Sequence, residues 1–203
     1  VSSNCRVTMG SIFSLRSGFI TAQVRNRFIE SILTEKPSDI AEFGCGHGDL
    51  AQYFKEYNYL GLDYSADKIS KCNKKNIGRF KAIEITKPIQ VEGKKFDVIF
   101  GVGFLQSIIE VNMRLFFQQA STLLKNNGSF FLLELLPSDK PLHRFTLNSA
   151  GANTNLRNQK AIIDAVNFYF KVERSQRLNI ELFGQDLGEA LAIKAVKNGA
   201  MAI

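Results

Sequence analysis

The chain has 203 residues, of which 45% are hydrophobic, and a formal net charge of +7 at pH 7. This length predicts one domain with a full apolar core, and the sequence has neither the apolar run of about 18 residues that a membrane-spanning helix needs nor the leader of a signal peptide. The three cysteines form no C-x-x-C pair and have no metal-ligand spacing with the two histidines. We therefore expect a reducing, cytoplasmic location, no membrane association and no structural metal.

The first predicted elements lead into a glycine-rich turn. Apolar residues recur at helical spacing between Ser17 and Leu33, which predicts an amphipathic helix. The next apolar run predicts a buried strand over Asp39–Phe43. Three glycines follow this strand directly, and helical spacing resumes over about Asp49–Tyr57. A glycine turn between a strand and a helix lets the backbone approach a ligand closely and is typical of the nucleotide-binding unit of a doubly wound sheet.

The second half of this unit ends in an acid. Tyr59–Asp63 is a short apolar run that predicts a parallel strand, and Asp63 lies 21 residues after Glu42. An acid at this distance from the glycine turn is placed to bind the two hydroxyls of a ribose. Ser65 then predicts the N-cap of a helix over about Ala66–Asn76.

These motifs resemble those of one enzyme family. Residues 42–48 (E-F-G-C-G-H-G) and 61–65 (G-L-D-Y-S) resemble the acid-x-Gly-x-Gly-x-Gly turn and the second strand end of class I S-adenosylmethionine-dependent methyltransferases. A nicotinamide-dependent oxidoreductase is disfavoured, because Glu42 and Asp49 would repel the pyrophosphate of its cofactor. A carboxylate at Glu42 suits a cofactor that carries its own cation.

The resemblance implies S-adenosyl-L-methionine as the cofactor and gives roles to residues of the first two strands. It places Glu42 near the ammonium or carboxylate end of the cofactor, Asp63 on the ribose hydroxyls and Tyr64 beside the adenine. It implies backbone contacts with the cofactor for three residues of the turn, Gly44, Cys45 and Gly46.

The third and fourth strands carry further implied contacts. The third strand is predicted over Phe80–Ile85, and the resemblance places Glu84 and Ile85 around the adenine. The fourth is predicted over Phe96–Phe100 and runs into Gly101, which the resemblance places against the methionine moiety.

The second half of the sheet follows a long helix. We predict this helix over Leu115–Leu124, with Gly128 in the left-handed conformation that ends helices, and the fifth strand over Ser129–Leu136. A polar loop over residues 137–155 leads to a helix over Asn155–Phe168. The last two strands are predicted over Phe170–Leu178 and Glu189–Lys197. The whole pattern predicts an α/β fold with a doubly wound, seven-stranded, mostly parallel sheet and an antiparallel C-terminal strand pair.

We expect a single methyltransferase domain over residues 1–203. The resemblance divides it into an N-terminal helical lid over residues 1–36, a cofactor-binding half over 37–136, and a part over 137–203 with the substrate loop, a helix and the terminal strands. The candidate lid residues are Phe13, Arg16 and Phe19.

Candidate acceptor-site residues lie mainly after the fourth and fifth strands. His143, in the loop after the fifth strand, is the candidate general base, with the alternative that it is a surface histidine beside Arg144. Gln106 stands where many relatives carry a histidine, so a base is not assumed there. Glu134 is either a buried polar anchor or a substrate contact. The predicted substrate-binding residues are Phe19, Gln106, Glu134 and Arg144.

The missing motifs narrow the expected substrate. The sequence lacks the Asp/Asn-Pro-Pro-aromatic segment of nucleobase amino-methylating enzymes, the Pro-Cys of cytosine-C5 enzymes, the double-glutamate loop of arginine-methylating enzymes and the Asp/Asn metal cluster of catechol-type enzymes. Transfer from a sulfonium mainly requires that nucleophile and methyl group be held in line, so a strong catalytic constellation is not needed. We therefore predict methyl transfer to an O, N or C nucleophile of a small molecule.

Two alternatives stay open. The first is an inactive binding or scaffold protein on a methyltransferase fold, which the intact glycines and Asp63 disfavour. The second is an RNA methyltransferase, motivated by the net charge and by a basic cluster, although the cluster lacks interleaved aromatic residues for base stacking. The cluster consists of Lys68, Lys71, Lys74, Lys75, Arg79 and Lys81. Nucleic acid is therefore not the expected partner, and the sequence gives no indication of the oligomeric state.

Overall fold

The computed structural model describes residues 21–140, apart from 76 and 92, and residues 156–198, apart from 183. These residues form a seven-stranded sheet with the strands β1 Asp39–Phe43, β2 Asn58–Asp63, β3 Arg79–Ala82, β4 Phe96–Val102, β5 Leu124–Leu135, β6 Phe170–Leu182 and β7 Gln185–Lys197. They also form the helices α1 Ala22–Leu33, α2 Ala66–Asn73, α3 Glu110–Leu123 and α4 Gln159–Asn167. None of these four helices is both long enough and apolar enough to span a membrane.

The strands lie in the order β3-β2-β1-β4-β5-β7-β6. The first five strands pair in parallel, whereas β7 lies antiparallel between β5 and β6. The order reverses between β1 and β4, and ligands of doubly wound sheets bind at such a point, outside the carboxyl ends of the strands. The predicted fold class, including the antiparallel C-terminal pair, is confirmed.

Helices cover both faces of the sheet and divide the core into two parts. On the face that we call the α1 face, α1 and α2 bury their apolar side chains. On the opposite face, the α3 face, Phe116 and Phe117 of α3 pack against Phe130 of β5, with ring centroids 6.1 and 5.8 Å from the Phe130 ring. Successive strand residues point to opposite faces, so Ile40 belongs to the α1 face and Ala41 to the α3 face. This alternation determines which side chains can meet at the carboxyl edge.

The segment after the glycine turn differs from the prediction. Instead of a helix over Asp49–Tyr57, the structure has a short 3₁₀ helix over Ala51–Phe54. The amides of Tyr53 and Tyr57 each donate to a carbonyl three residues earlier, both at 3.0 Å, which is the 3₁₀ pattern. The aromatic side chains of this crossover, Tyr53, Phe54 and Tyr57, pack in the core of the α1 face.

Gly128 has a different role from the predicted one. The chain passes from α3 directly into β5 at Leu124, and Gly128 lies within the strand rather than in a left-handed helix end. A Cβ at Gly128 would lie 2.8 Å from Cγ of Leu124 and 2.9 Å from the carbonyl oxygen of Asp97. Glycine is needed here because two backbones approach closely, not because of its φ angle.

The bounds of two further elements, β3 and α1, differ from the predicted ones. β3 ends at Ala82, so Glu84 and Ile85 lie in the loop that follows it. α1 begins at Ala22, and the hydroxyl of Thr21 caps it by accepting the amide of Val24 at 3.5 Å. The predicted helix start at Ser17 lies outside the described residues.

Candidate active site

A cavity of about 400 Å³ opens at the carboxyl ends of β1 and β2, beside the point where the strand order reverses. Its volume lies within the range of roughly 300–1,000 Å³ that is usual for small-molecule sites. Among its walls are five of the nine residues predicted to contact a cofactor, Gly44, Asp63, Tyr64, Glu84 and Ile85. Most of the remaining wall is apolar and includes Leu62, Ile83, Phe104, Ile108 and Phe116.

The glycine turn folds back onto the end of β2. Gly44, Gly46 and Gly48 have φ angles of 71°, 56° and 72°, which side chains with a Cβ rarely adopt. The amides of Gly44 and Cys45 donate to the carbonyl of Leu62 at 2.7 and 3.0 Å. Gly44 thus lines the cavity, whereas Cys45 packs in the core of the α1 face.

Asp63 connects the glycine turn to the start of α2. Its Oδ2 accepts the amide of Gly46 at 2.9 Å, and its Oδ1 accepts the amide of Ser65 at 3.0 Å. The residue is 1% exposed but lines the cavity. Two backbone donors therefore fix the orientation of a carboxylate at the place where the sequence predicts a ribose contact.

Glu42 lies on the other face of the sheet. Strand alternation directs Phe43 to the cavity and Glu42 to the α1 face, where the Tyr59 hydroxyl donates to Glu42 Oε2 at 2.5 Å. Burial raises the pKa of Glu42 from 4.5 to about 8, with smaller contributions from Asp49 and Asp63, while the Tyr59 hydrogen bond opposes this shift. The predicted contact of Glu42 with the charged end of a cofactor finds no support in this geometry, because Glu42 does not line the cavity.

The ring of Phe104 covers the ends of β1 and β4. A Cβ at Gly44 would lie 2.5 Å from Phe104 Cβ, and one at Gly101 would lie 2.3 Å from Phe104 Cε1. Both glycines are therefore required by Phe104 itself. Gly101, predicted to meet the methionine moiety, lies under this ring and does not line the cavity, and the same holds for Cys45 and Gly46 in the turn.

The outer wall of the cavity carries charged and aromatic groups. Glu84 accepts the Thr86 hydroxyl at 2.8 Å and pairs with Lys87 at 2.6 Å, and these contacts lower the pKa of Glu84. Tyr64 is 70% exposed at the rim, with the Lys68 ammonium 5.8 Å from its ring centroid. Of the three predicted adenine-side residues, Tyr64 and Glu84 are thus exposed at the mouth of the cavity, and Ile85 is half-buried.

Two polar side chains, the buried Glu134 and the partly buried Arg157, hold the loop after β4. Glu134 Oε1 accepts the amides of Phe104 and Leu105 at 3.0 and 3.1 Å. The Arg157 guanidinium donates to the carbonyls of Leu105 and Ile108 at 2.7 and 2.6 Å. Burial raises the pKa of Glu134 to about 8, while the two amides and Arg157 oppose this shift. Of the two roles considered for Glu134, these contacts support the polar anchor.

The remaining candidates for the acceptor site are only partly described. Gln106 is buried, and its Nε2 donates to the carbonyl of Gly103 at 3.1 Å. Its Oε1 has no hydrogen-bond partner among the described residues. Phe19, His143 and Arg144 lie outside the described ranges, so their roles stay predictions.

Three residues that shape the site were missed by the sequence analysis: Phe104, Gln119 and Arg157. Gln119 of α3 bridges the loop after β3, since its Nε2 donates to the Ile85 carbonyl and its Oε1 accepts the Ile89 amide, both at 2.6 Å. The sequence could have indicated Gln119, because it follows Phe116 by three residues and so lies on the same face of the helix. Arg157 had no signal, since its partners are carbonyls distant in sequence.

Comparisons with known proteins agree with this geometry. Residues 41–130 match a family model described as a methyltransferase domain. A TehB-like S-adenosylmethionine-dependent methyltransferase from Corynebacterium glutamicum is 14% identical, with a TM-score of 0.58 over 79% of this chain and 80% of that chain. The N-methyltransferase NodS from Bradyrhizobium japonicum, solved with S-adenosyl-L-homocysteine, is 12% identical, with a TM-score of 0.66 over 88% of this chain and 89% of that one. A search of curated protein sequences finds no match.

The predicted resemblance is thereby confirmed at the level of class. Residues 41–130 match a methyltransferase domain model, and the fold is that of solved S-adenosylmethionine-dependent methyltransferases. These matches support an enzyme that uses S-adenosyl-L-methionine as its cofactor. At such low identity, the solved structures establish the fold and leave the acceptor to be argued from this chain.

Proposed function

We propose that this chain transfers the methyl group of S-adenosyl-L-methionine to an oxygen, nitrogen or carbon atom of a small molecule. The observation that carries the proposal is the cavity at the ends of β1 and β2. In it a carboxylate, Asp63, is fixed by two backbone amides beside a largely apolar wall.

The cavity residues fit the nucleoside half of the cofactor. Ribose hydroxyls donate hydrogen bonds, and Asp63 presents an acceptor-only group at the cavity wall. Ile83 and Ile85 supply apolar surface for a planar base, and Tyr64 at the rim can pack against the base edge. For the methionine half, we propose that the ring of Phe104 turns aside, because it covers the backbone of Gly101.

The chemistry then requires little beyond positioning. The bound cofactor supplies the activated methyl group, and the chain has to hold the nucleophile in line and exclude water. Glu134 and Arg157 fix the loop after β4, which forms one wall of the cavity. We propose that His143 acts as a base where the nucleophile has to lose a proton, and that Arg144 and Phe19 contribute to the acceptor site.

Support for a small-molecule acceptor rather than RNA comes from the contacts of the basic cluster. Lys75 donates to the carbonyl of His47 at 2.8 Å, and Lys81 donates to the carbonyl of Gln90 at 2.5 Å. Two cations of the cluster therefore bind the protein's own backbone. We keep the division into a lid over 1–36, a cofactor-binding half over 37–136 and a substrate part over 137–203 as part of this proposal.

Calorimetric titration tests the cofactor site. We expect the wild type to bind S-adenosyl-L-methionine and S-adenosyl-L-homocysteine in the micromolar range and not to bind NAD. Asp63→Asn should weaken both bindings by about 1–3 kcal/mol, since hydrogen bonds to a charged group contribute about that much. Asp67→Asn is the matched control, because Asp67 is exposed in the first turn of α2 and does not line the cavity.

Two outcomes would contradict the proposal in different ways. If Asp63→Asn binds as tightly as the wild type, Asp63 does not contact the ribose. If the wild type binds neither compound, the chain is better explained as an inactive binding or scaffold protein. Melting curves of both variants are needed, because Asp63 also holds the amides of Gly46 and Ser65.

A further inference from the structure

The loop after β3 forms part of the cavity wall but has little structure of its own. Residues 83–95 contain neither a helix nor a strand among those described, and Glu84, Ile85 and Thr86 of this loop line the cavity. The hydrogen bonds and ion pair of Glu84 are local, to Thr86 and Lys87. These contacts stabilise a turn but do not fix its position against the sheet.

Gln119 supplies such a fixed point from α3. Its amide group donates to the Ile85 carbonyl and accepts the Ile89 amide, each at 2.6 Å, so both ends of the side chain are used. In the described part of the chain, these are the hydrogen bonds that join residues 84–89 to another element of the fold. The side-chain amide thus pairs one donor and one acceptor with the backbone on either side of the turn over residues 85–87.

Gln119 also lies on the part of α3 that faces the cavity. Asn112 and Phe116 line the cavity, and Gln119 follows them at i+7 and i+3, on the same stripe of the helix. Ile85 and Ile89 pack on the core of the α3 face, and these apolar contacts bring the loop to α3. The hydrogen bonds of Gln119 then determine which loop residues lie opposite the helix.

We propose that Gln119 is a positioning residue of the cofactor site. It holds the part of the cavity wall formed by Ile85 and does not touch the cofactor itself. By holding this wall, it sets the affinity for the adenine end of the cofactor. The inference rests on the proposed function, because it assumes that the cavity binds S-adenosyl-L-methionine. Loss of the bridge leaves the loop free to move away from the base, which weakens binding of the nucleoside and leaves the transfer step unchanged.

Gln119→Met tests the bridge, because methionine has a similar length and neither donates nor accepts strongly. Calorimetry with S-adenosyl-L-homocysteine should show a rise in Kd of about tenfold, the effect of losing one to two ordinary hydrogen bonds. The KM for S-adenosyl-L-methionine should rise by a similar factor, with kcat at saturation unchanged. Gln118→Met is the matched control, since Gln118 is exposed on the same helix, and it should bind as the wild type does.

A second variant distinguishes positioning from a general loss of stability. In Gln119→Glu the carboxylate can still accept the Ile89 amide, but it donates to the Ile85 carbonyl only when protonated. The affinity of this variant for S-adenosyl-L-homocysteine should therefore improve as the pH is lowered toward 5, relative to the wild type at each pH. A merely structural role of Gln119 gives a lower melting temperature without this pH-dependent rescue.

Hydrogen exchange of the ligand-free protein provides a readout that needs no cofactor. The Ile89 amide should exchange faster in Gln119→Met than in the wild type and Gln118→Met. Unchanged exchange at Ile89, or an unchanged Kd in Gln119→Met, overturns the inference while the proposed function stands. Failure of the wild type to bind S-adenosyl-L-homocysteine overturns the proposed function and, with it, this inference.

Discussion

Phe104 packs its ring directly on the backbone of Gly101, where a Cβ would lie 2.3 Å from Cε1 of the ring. Gly101→Ala should therefore destabilise the fold by about 1–3 kcal/mol, the usual cost of overpacking. In a Phe104→Leu background the same change should cost much less, because the smaller side chain leaves space. Urea denaturation of the four proteins measures this coupling. An equal cost of Gly101→Ala in both backgrounds would show that the contact with Phe104 does not require the glycine.

Glu42 makes stability depend on pH. Its pKa is about 8 in the folded state, against an ordinary value of 4.5. Between about pH 4.5 and pH 8, the Glu42 carboxyl is ionised in the unfolded chain but keeps its proton in the folded chain. Its contribution to the free energy of unfolding is therefore fully present below about pH 4.5 and is lost as the pH rises to about 8. The slope is at most about 1.4 kcal/mol per pH unit.

Glu42→Gln removes this titration and keeps an oxygen that accepts the Tyr59 hydroxyl. We expect wild type and variant to differ little near pH 5, and the wild type to lose stability relative to the variant up to about pH 8. Glu134 titrates in both proteins, so its contribution cancels in the comparison. Denaturation at several pH values measures the difference in stability between wild type and Glu42→Gln, with the exposed Glu56→Gln as the control. A gap that does not change with pH would mean that Glu42 is ionised in the folded protein.

Among the elements, the loop after β4 depends most on side chains from elsewhere in the chain. Arg157 has a side chain only 10% exposed and donates to the carbonyls of Leu105 and Ile108. Arg157→Lys keeps the charge but loses the planar fork that reaches both carbonyls. We expect a loss of about 1.5–3 kcal/mol in stability, the range for hydrogen bonds of charged groups. Thermal melting measures it.

The control for this prediction is Arg114→Lys, since Arg114 is exposed on α3. Because Ile108 and Phe104 line the cavity, Arg157→Lys should also weaken binding of S-adenosyl-L-homocysteine. A variant as stable as the control would show that a single charge at this position is sufficient to hold the loop.

Local sequence patterns predicted the regular elements well and the junctions less well. β1 has the predicted bounds, Asp39–Phe43, because its apolar run is short and ends at a glycine. Ser65 caps α2 as predicted by accepting the Lys68 amide. Gly128 misled the analysis, because a glycine at a helix end and a glycine where two backbones meet look alike in sequence. What distinguishes them is the carbonyl of Asp97, on a neighbouring strand.

At the scale of the whole molecule, the sequence predicted the edge of the sheet where the site lies, but not the face to which each residue points. Glu42 and Asp63 both stand at strand ends next to the glycine turn. The first is directed to Tyr59 on the α1 face, and the second reaches the cavity. Phe104 could not be placed from sequence, since its position over Gly101 depends on Glu134 and on the pairing of β4 with β5.

The position of β7 has a consequence for the synthesis of this protein. β7 is the last described strand to leave the ribosome, yet it lies inside the sheet and pairs with both β5 and β6. Strands β1 to β5 can form the cofactor-binding half early, but β5 then has an open edge of unpaired backbone groups until residue 197 has emerged. The interval from the end of β5 to the end of β7 is thus when the nascent chain is most open to pairing with other chains.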